Sequence, residues 1–166
     1  MYWSDWQAPA KIEVANMDGT GRQIFVQGGG LTWPNGLSVD YTSGKLYWAD
    51  ARLDTIECVD LDGSNRKVVL QNMTHPFGLD VYNGFIYWTD WTSKDIRRAK
   101  INDPSSVVVL RSGLEGLMEI RVYDLAKQTG GSHRLFFVND LSETGDNFRR
   151  GNIFIKTARI FDSTLT

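Results

Sequence analysis

The sequence has little of the chemistry that most metal and redox sites need, with one cysteine and two histidines among 166 residues. A single cysteine excludes an internal disulfide framework and a cysteine-based zinc site. Two histidines leave little scope for histidine-based catalysis or a histidine-rich metal site. No apolar run approaches the roughly 18 residues of a membrane span, and no basic start followed by an apolar stretch marks a signal peptide.

Net charge is also small, since 18 Lys and Arg face 20 Asp and Glu and leave a net charge of −2. This balance argues against a nucleic-acid partner, which requires a clustered positive surface. Shares of 42% hydrophobic and 23% charged residues are typical of a globular chain, and the length suits one domain. Six Trp and 16 Gly, without sustained helical spacing of apolar residues, predict the short strands of an all-β protein.

Three short markers recur along the chain in one register, which makes an internal repeat the main signal. They are an aromatic tetrapeptide, an Asp-Gly turn and a Pro-x-Gly-Leu segment. The tetrapeptide occupies Tyr2–Asp5, Tyr47–Asp50 and Tyr87–Asp90; the turn occupies Asp18-Gly19 and Asp62-Gly63, with a degenerate copy at Asn102-Asp103; the third marker occupies Pro34–Leu37 and Pro76–Leu79, with a weak echo at Leu117–Ile120. An interval of about 40 residues is typical of propeller blades.

Each unit predicts four short strands, with hairpins closed by turn residues that tolerate positive φ. The predicted strands are Leu37–Tyr41, Lys45–Asp50, Asp54–Leu61 and Arg66–Gln71, then Gly78–Tyr82, Phe85–Asp90, Asp95–Ile101 and Val107–Arg111. The first unit lacks its inner strand, because only Met1 precedes Tyr2. About three blades result, and a closed ring needs at least four. We therefore expect a partial β-propeller.

The tetrapeptides, the Asp-Gly turns, and the segments Trp33–Leu37 and His75–Leu79 together resemble class B repeats of the low-density lipoprotein receptor family. The resemblance covers about residues 2–130 and implies half of a six-bladed propeller, in which Leu117–Tyr123 is the ring-closing strand. The same resemblance implies that residues 1–130 are one domain, an incomplete set of propeller blades. The family would continue with a Cys-rich EGF-like module, but residues 131–166 contain no cysteine. We expect a divergent tail there, outside the repeat, with strands near Leu135–Val138 and Ile153–Ile160.

The repeated motif residues are expected to be scaffold, because a repeated residue is seldom a unique catalyst. Their large rings would fill the space between blades, and the carboxylates would accept hydrogen bonds from a neighbouring blade. These residues are Tyr2, Trp3, Asp5, Tyr47, Trp48, Asp50, Tyr87, Trp88 and Asp90.

Residues that vary at equivalent places near the inner strands are the candidates for recognition, because a propeller brings equivalent positions to one end of the ring. They are Trp33, Asn35, His75, Phe77, Trp91 and Met118. Exposed aromatics and Met around polar groups suit a protein-binding patch. The resemblance to Wnt coreceptors implies that Asn35 pairs with a ligand Asn, while Trp33, His75 and Trp91 line the adjoining apolar surface. The alternative is a turn-forming Asn-Gly with ordinary packing aromatics.

Separate predictions concern His75, Asn72 and Cys58. The resemblance also implies a pH-dependent role for His75, although Asp54 stands where its partner His would lie in the neighbouring blade. Asn72-Met73-Thr74 is an N-glycosylation sequon on a predicted loop, with chance as the alternative. Cys58 is expected to be a spare thiol in the middle of a strand.

Together these observations predict a non-enzymatic extracellular module that binds a protein ligand without a cofactor or metal. Its parent would be a membrane-anchored endocytic or Wnt-type receptor at the cell surface, although this segment would not insert into the membrane. One alternative is a basement-membrane matrix protein with the same propeller, and another is a metal-dependent propeller hydrolase. Phosphate binding at Gly28–Gly30 is not expected, because no helix follows.

Overall fold

The computed structural model describes the backbone of residues 1–124, 133–139 and 157–159, and the side chains of residues 1–122. These residues form β-strands and turns, and none of them belongs to a helix that could cross a membrane. The strands are β1 (Tyr2–Asp5), β2 (Lys11–Val14), β3 (Gln23–Gln27), β4 (Pro34–Asp40), β5 (Lys45–Asp50), β6 (Thr55–Asp60), β7 (Lys67–Leu70), β8 (Pro76–Tyr82), β9 (Phe85–Asp90), β10 (Asp95–Lys100), β11 (Asp103–Arg111), β12 (Leu117–Asp124), β13 (His133–Asn139) and β14 (Thr157–Arg159).

The strands form four antiparallel sheets, which confirms the prediction of an all-β protein built from propeller blades. In chain order the sheets are β1-β2-β3, β4-β5-β6-β7, β8-β9-β10-β11 and β12-β13-β14. We call the first three sheets blades 1, 2 and 3. The predicted motif strands Lys45–Asp50 and Phe85–Asp90 match β5 and β9 in both bounds. Blade 1 has three strands and begins with its motif strand, as the sequence predicts.

Adjacent blades bury apolar side chains between their faces, and three of the motif aromatics, Tyr47, Trp48 and Trp88, are among these buried residues. Trp48 is fully buried with Ile12 and Leu46 in the cluster between blades 1 and 2. Tyr47, the preceding residue, lies in the cluster between blades 2 and 3, together with Trp88. Successive residues of a strand point to opposite faces, so one motif strand contributes an aromatic ring to each of two interfaces.

The inner strands β4, β8 and β12 approach one another closely at the glycine of each Pro-x-Gly-Leu segment. A Cβ built on Gly36 would lie 2.6 Å from both the Phe77 carbonyl oxygen and the Leu79 nitrogen. A Cβ on Gly78 would lie 2.8 Å from the Cα of Glu119 and would also overlap the Met118 carbonyl oxygen. No side chain fits at these distances, which explains the glycine in this marker.

A buried carboxylate links the same three strands two residues beyond the glycine contacts. Asp80 on β8 accepts hydrogen bonds from the Ser38 hydroxyl at 2.8 Å and from the Val122 amide at 2.6 Å. It also accepts the amide of Val81 at 2.9 Å. Asp80 therefore connects β4 to β12 through β8, and its buried charge is compensated by three donors.

We predict that Gly78→Ala destabilises the protein by about 2 kcal/mol or more, because the added methyl overpacks against the backbone of β12. Urea unfolding of the two proteins measures the difference. Gln27→Ala, which shortens an exposed side chain at the end of β3, serves as the control and should change stability little. Wild-type stability in Gly78→Ala would show that the inner strands are not in close contact.

Candidate functional site

The motif carboxylates organise the end of each blade at which the chain enters an inner strand, here called the linker end. Asp50, the last residue of β5, accepts the amides of Thr32 at 2.8 Å and Trp33 at 3.1 Å. It also accepts the amides of Arg52 at 3.0 Å and Leu53 at 3.2 Å. One buried carboxylate thus holds both the linker into β4 and the turn after β5.

Asp90 repeats this arrangement at the linker end of blade 3. It accepts the Thr74 amide at 3.1 Å, the Thr74 hydroxyl at 2.7 Å and the His75 amide at 3.0 Å. The amides of Thr92 and Ser93, both at 3.1 Å, complete its contacts. The side-chain hydroxyl of Thr74 is therefore part of the scaffold.

The expectation that these carboxylates accept hydrogen bonds from strands of a neighbouring blade is wrong. The strand register pairs Asp50 with Pro34, and Asp90 with Pro76. Each carboxylate therefore lies beside the two residues that precede its own blade's inner strand, and their amides are the nearest donors. Asp5, the last residue of β1, accepts the Gln7 amide at 2.9 Å and pairs with Lys11 at 3.5 Å.

Three predicted recognition residues form one aromatic stack at the linker end of blade 3. Trp91 is 43% exposed and stacks on Phe77, with ring centroids 4.5 Å apart and planes 10° apart. His75 also stacks on Trp91, at 5.7 Å and 22°. The Trp91 indole N–H donates to the carbonyl of Leu117, which ties the stack to β12. Met118 follows Leu117 and is half-buried.

Trp33 and Asn35 belong to a second part of the linker end, on blade 2. Trp33 is 37% exposed, and the guanidinium of Arg52 lies 5.7 Å from its ring centroid. Asn35 is half-buried, and its backbone carbonyl accepts the Ser4 hydroxyl at 3.1 Å. Its side-chain amide has no hydrogen-bond partner among residues 1–122, so donor and acceptor are both open to an incoming group.

Sequence reasoning missed Trp6 and Arg52 as members of this surface. Trp6 is 63% exposed and meets Trp33 edge to face, with centroids 6.2 Å apart and planes 75° apart. The signal was present, because Trp6 follows the motif residue Asp5 as Trp91 follows Asp90. No pattern in the sequence indicated the contact between Arg52 and Trp33.

A groove of about 340 Å³ runs beside the Trp91 stack towards the linker before β12. The ion pair between Lys94 and Glu115, at 2.6 Å, lies along this groove. Its lining residues are Asp90, Trp91, Lys94, Leu114, Glu115, Gly116, Leu117 and Met118. The linker end therefore combines exposed aromatic rings, the Asn35 amide, which has no partner within the described part of the chain, and a groove with charged walls.

Asn72 and Cys58 lie in different surroundings. Asn72 is exposed, with a positive φ of 61°. The equivalent residue before β4 is Gly30, with φ 85°, so backbone conformation alone favours Asn or Gly at this position. Cys58 is fully buried, and burial raises the pKa of its thiol. This fits an unreactive packing role.

Comparison with known proteins identifies the repeat. Residues 1–41 and 44–82 match the family model of the low-density lipoprotein receptor repeat class B. Over 94 residues, 57% of this chain, the sequence is 45% identical to low-density lipoprotein receptor-related protein 4 of Mus musculus, and it is equally similar to that of Rattus norvegicus. The match covers 5% of each relative, so the chain spans a small part of the curated relatives it matches.

Solved structures support the propeller fold. The chain is 32% identical to a protein in a nidogen/laminin complex, with a TM-score of 0.60, over 69% of this chain and 42% of that chain. A gluconolactonase from Xanthomonas campestris matches with 18% identity and a TM-score of 0.61, over 80% and 42% of the two chains. Virginiamycin B lyase from Staphylococcus aureus matches with 12% identity and a TM-score of 0.59, over 83% and 44%. The last two likenesses show the fold alone.

We predict that Asp90 makes stability depend on acid pH. Burial alone would raise the pKa of Asp90, but hydrogen bonds from Thr74, Ser93 and His75 outweigh burial and lower the pKa. The contribution is complete above a pH of about 4, the ordinary Asp pKa. It is lost as the pH falls through the lower folded-state pKa. Asp90→Asn should destabilise the protein at pH 7 by about 1–3 kcal/mol and lose less stability on acidification, as measured by urea unfolding across pH.

Asp54→Asn is the matched control for this series, because the Asp54 carboxylate accepts no hydrogen bond among residues 1–122. The control should retain the stability of the wild type at pH 7. Identical acid profiles for Asp90→Asn and the wild type would contradict the role assigned to Asp90.

Proposed function

Because residues 1–41 and 44–82 of this chain match the family model of the low-density lipoprotein receptor repeat class B, we propose that it is a non-enzymatic extracellular module that binds a protein ligand. The observation that carries the proposal is the linker end, where Trp6, Trp33 and Trp91 are exposed and the Asn35 side-chain amide has no hydrogen-bond partner among residues 1–122. Exposed tryptophans are typical of protein-binding hot spots.

The two parts of the linker end would contribute different terms to binding. The aromatic rings would supply apolar area, worth roughly 25 cal/mol for each Å² removed from water. Asn35 would supply paired, directional hydrogen bonds, because its amide carries both a donor and an acceptor. Arg52, stacked on Trp33, would attract a carboxylate on the ligand. The ligand that fits is an extended peptide segment with an amide side chain between apolar residues.

The parent protein would be a receptor anchored in the membrane, with this module outside the cell. The support is the 45% identity with low-density lipoprotein receptor-related protein 4, over 57% of this chain. In such a parent the module would select ligands for endocytosis or for Wnt-type signalling.

A basement-membrane matrix protein is the second candidate, and one observation favours it. The propeller from the nidogen/laminin complex is 32% identical to this chain over 69% of its length. The same linker end would then hold a laminin-like matrix protein. A measurement with laminin itself separates the two candidates, since a receptor module with another ligand should not bind it.

The hydrolase alternative has weaker support. The likeness to gluconolactonase is 18% in sequence and extends to the fold alone. Among the residues whose side chains are described, no group of three or more His, Cys, Asp and Glu could hold a metal ion. Turnover of an ester or lactone panel, with and without added divalent metal, tests this alternative directly.

We predict that Asn35→Ala weakens peptide binding at least tenfold, because a hot-spot contact is worth about 1.4 kcal/mol or more. The probe is a displayed library of 12-residue peptides with a fixed central Asn, selected on the wild-type chain. Surface plasmon resonance then measures the affinity of each selected peptide for the wild type and the variant.

Asn102→Ala is the matched control, because Asn102 is exposed in the turn between β10 and β11, at the opposite end of blade 3. The control should bind the selected peptides with wild-type affinity. Equal affinity of Asn35→Ala and Asn102→Ala would remove the proposed role of the linker end.

We also propose that Asn72 carries an N-linked glycan in protein secreted from mammalian cells, since its amide is exposed on the linker before β8. Digestion with peptide N-glycosidase F should lower the mass of the wild type. Asn72→Gly should show no such shift and should fold normally, because Gly30 occupies the equivalent position in blade 2. An unchanged wild-type mass after digestion would contradict the proposal.

A further inference from the structure

The pairing of β12 with β13 reproduces, residue for residue, the pairing of an inner strand with a motif strand. In blade 2, Pro34 pairs with Asp50 and Leu37 with Trp48, with a register shift between them. Blade 3 repeats this with Pro76 and Asp90, then Leu79 and Trp88. In the last sheet, Leu117 pairs with Asn139 and Ile120 with Phe137, and the register shift falls at the same place.

The residue types of β13 also match those of a motif strand. Leu135-Phe136-Phe137-Val138-Asn139 falls on the register positions of Leu46-Tyr47-Trp48-Ala49-Asp50. Aromatic residues stand at the two central positions of both strands, and an Asx residue ends each of them. The third strand of the last sheet has the register of a third blade strand. Ala158 of β14 pairs with Phe137, and Glu57 of β6 pairs with Trp48.

The linker before β12 has the backbone geometry of the linkers that the motif carboxylates hold. Gly113 has a φ of 71°, at the position where Gly30 has 85° and Asn72 has 61°. The Leu114 amide donates to the Lys94 carbonyl at 3.0 Å. The Met73 amide donates to the Asp54 carbonyl at 3.2 Å in the same way. The linker over residues 112–116 therefore has the conformation that precedes a blade.

We propose that β12, β13 and β14 form a fourth blade, in which β13 is a degenerate motif strand and Asn139 positions the linker of residues 112–116. The amide oxygen of Asn can accept the backbone N–H groups that Asp accepts elsewhere, although without the added strength of a charge. In this proposal β13 and β14, which lie within the predicted divergent tail of residues 131–166, belong to the repeat.

The proposal goes beyond ligand binding and does not depend on it, but it bears on the linker end. Glu115 and Leu117 line the groove beside Trp91, and the Leu117 carbonyl accepts the Trp91 indole N–H. A blade that fixes the linker also fixes this wall of the groove. Asn139 would be a positioning residue, because it acts on the surface through the linker.

Hydrogen exchange on the full chain tests the fourth blade without a ligand. Asn139→Asp restores the motif residue and should slow exchange of the Glu115 and Gly116 amides, whereas Asn139→Ala should speed it. Each change should be about two- to tenfold, the factor expected for one hydrogen bond of ordinary net strength. Mass spectrometry of peptides that span residues 112–117 provides the readout.

Two controls show whether the change in exchange is specific to residue 139. Asn147→Asp makes the same charge change in the tail at a position outside β13 and should leave exchange at residues 112–117 unchanged. Wild-type exchange in peptides from β5 and β9 shows that blades 2 and 3 remain folded in every variant. The proposal is overturned if Asn139→Asp and Asn139→Ala exchange alike in the linker, or if Asn147→Asp protects it equally.

Discussion

The structure depends on one recurring interaction, in which a buried carboxylate at the end of a motif strand gathers backbone N–H groups from two segments. Asp50 and Asp90 each hold the linker that enters an inner strand and the turn that follows the motif strand. An amide left unsatisfied at such a site would cost about 1–3 kcal/mol. The held linkers determine where each inner strand begins, and hence where Gly36 and Gly78 meet the neighbouring backbone. Blade packing and surface shape both follow from this constraint.

The same interaction constrains the backbone of each linker but not the side chains of Trp33 and His75. The carboxylate contacts backbone amides, so the side chains of the linker residues are free to differ from blade to blade. Trp33 therefore occupies in blade 2 the place that His75 occupies in blade 3, although both amides bond to a motif carboxylate. The result is a rigid backbone with variable side chains at one end, an arrangement suited to evolving protein-binding surfaces. Trp6 and Trp91 extend this surface from the turns after the motif strands.

Sequence reasoning was most successful where one local pattern carries the information. The recurring aromatic motif in Lys45–Asp50 and Phe85–Asp90 predicted both motif strands to their bounds, because each copy of the repeat carries the motif within its own segment. His75, Phe77 and Trp91, which are three of the predicted recognition residues, lie together at the linker end of blade 3. The donors to Asp50 were predicted wrongly, because they depend on the pairing of Asp50 with Pro34. Strand register depends on two segments together, so neither segment alone predicts it.

Repeat spacing and residue type were enough to predict the blade and its four-strand order. These features follow from the repeat, because each copy carries the same pattern within its own segment. Three-dimensional packing was needed to place Arg52 over Trp33, to leave the Asn35 amide without a hydrogen-bond partner among residues 1–122 and to align Phe137 with Ile120. Such contacts join residues that are distant in the chain, and their geometry is set by how sheets turn and stack rather than by the residues of any one strand.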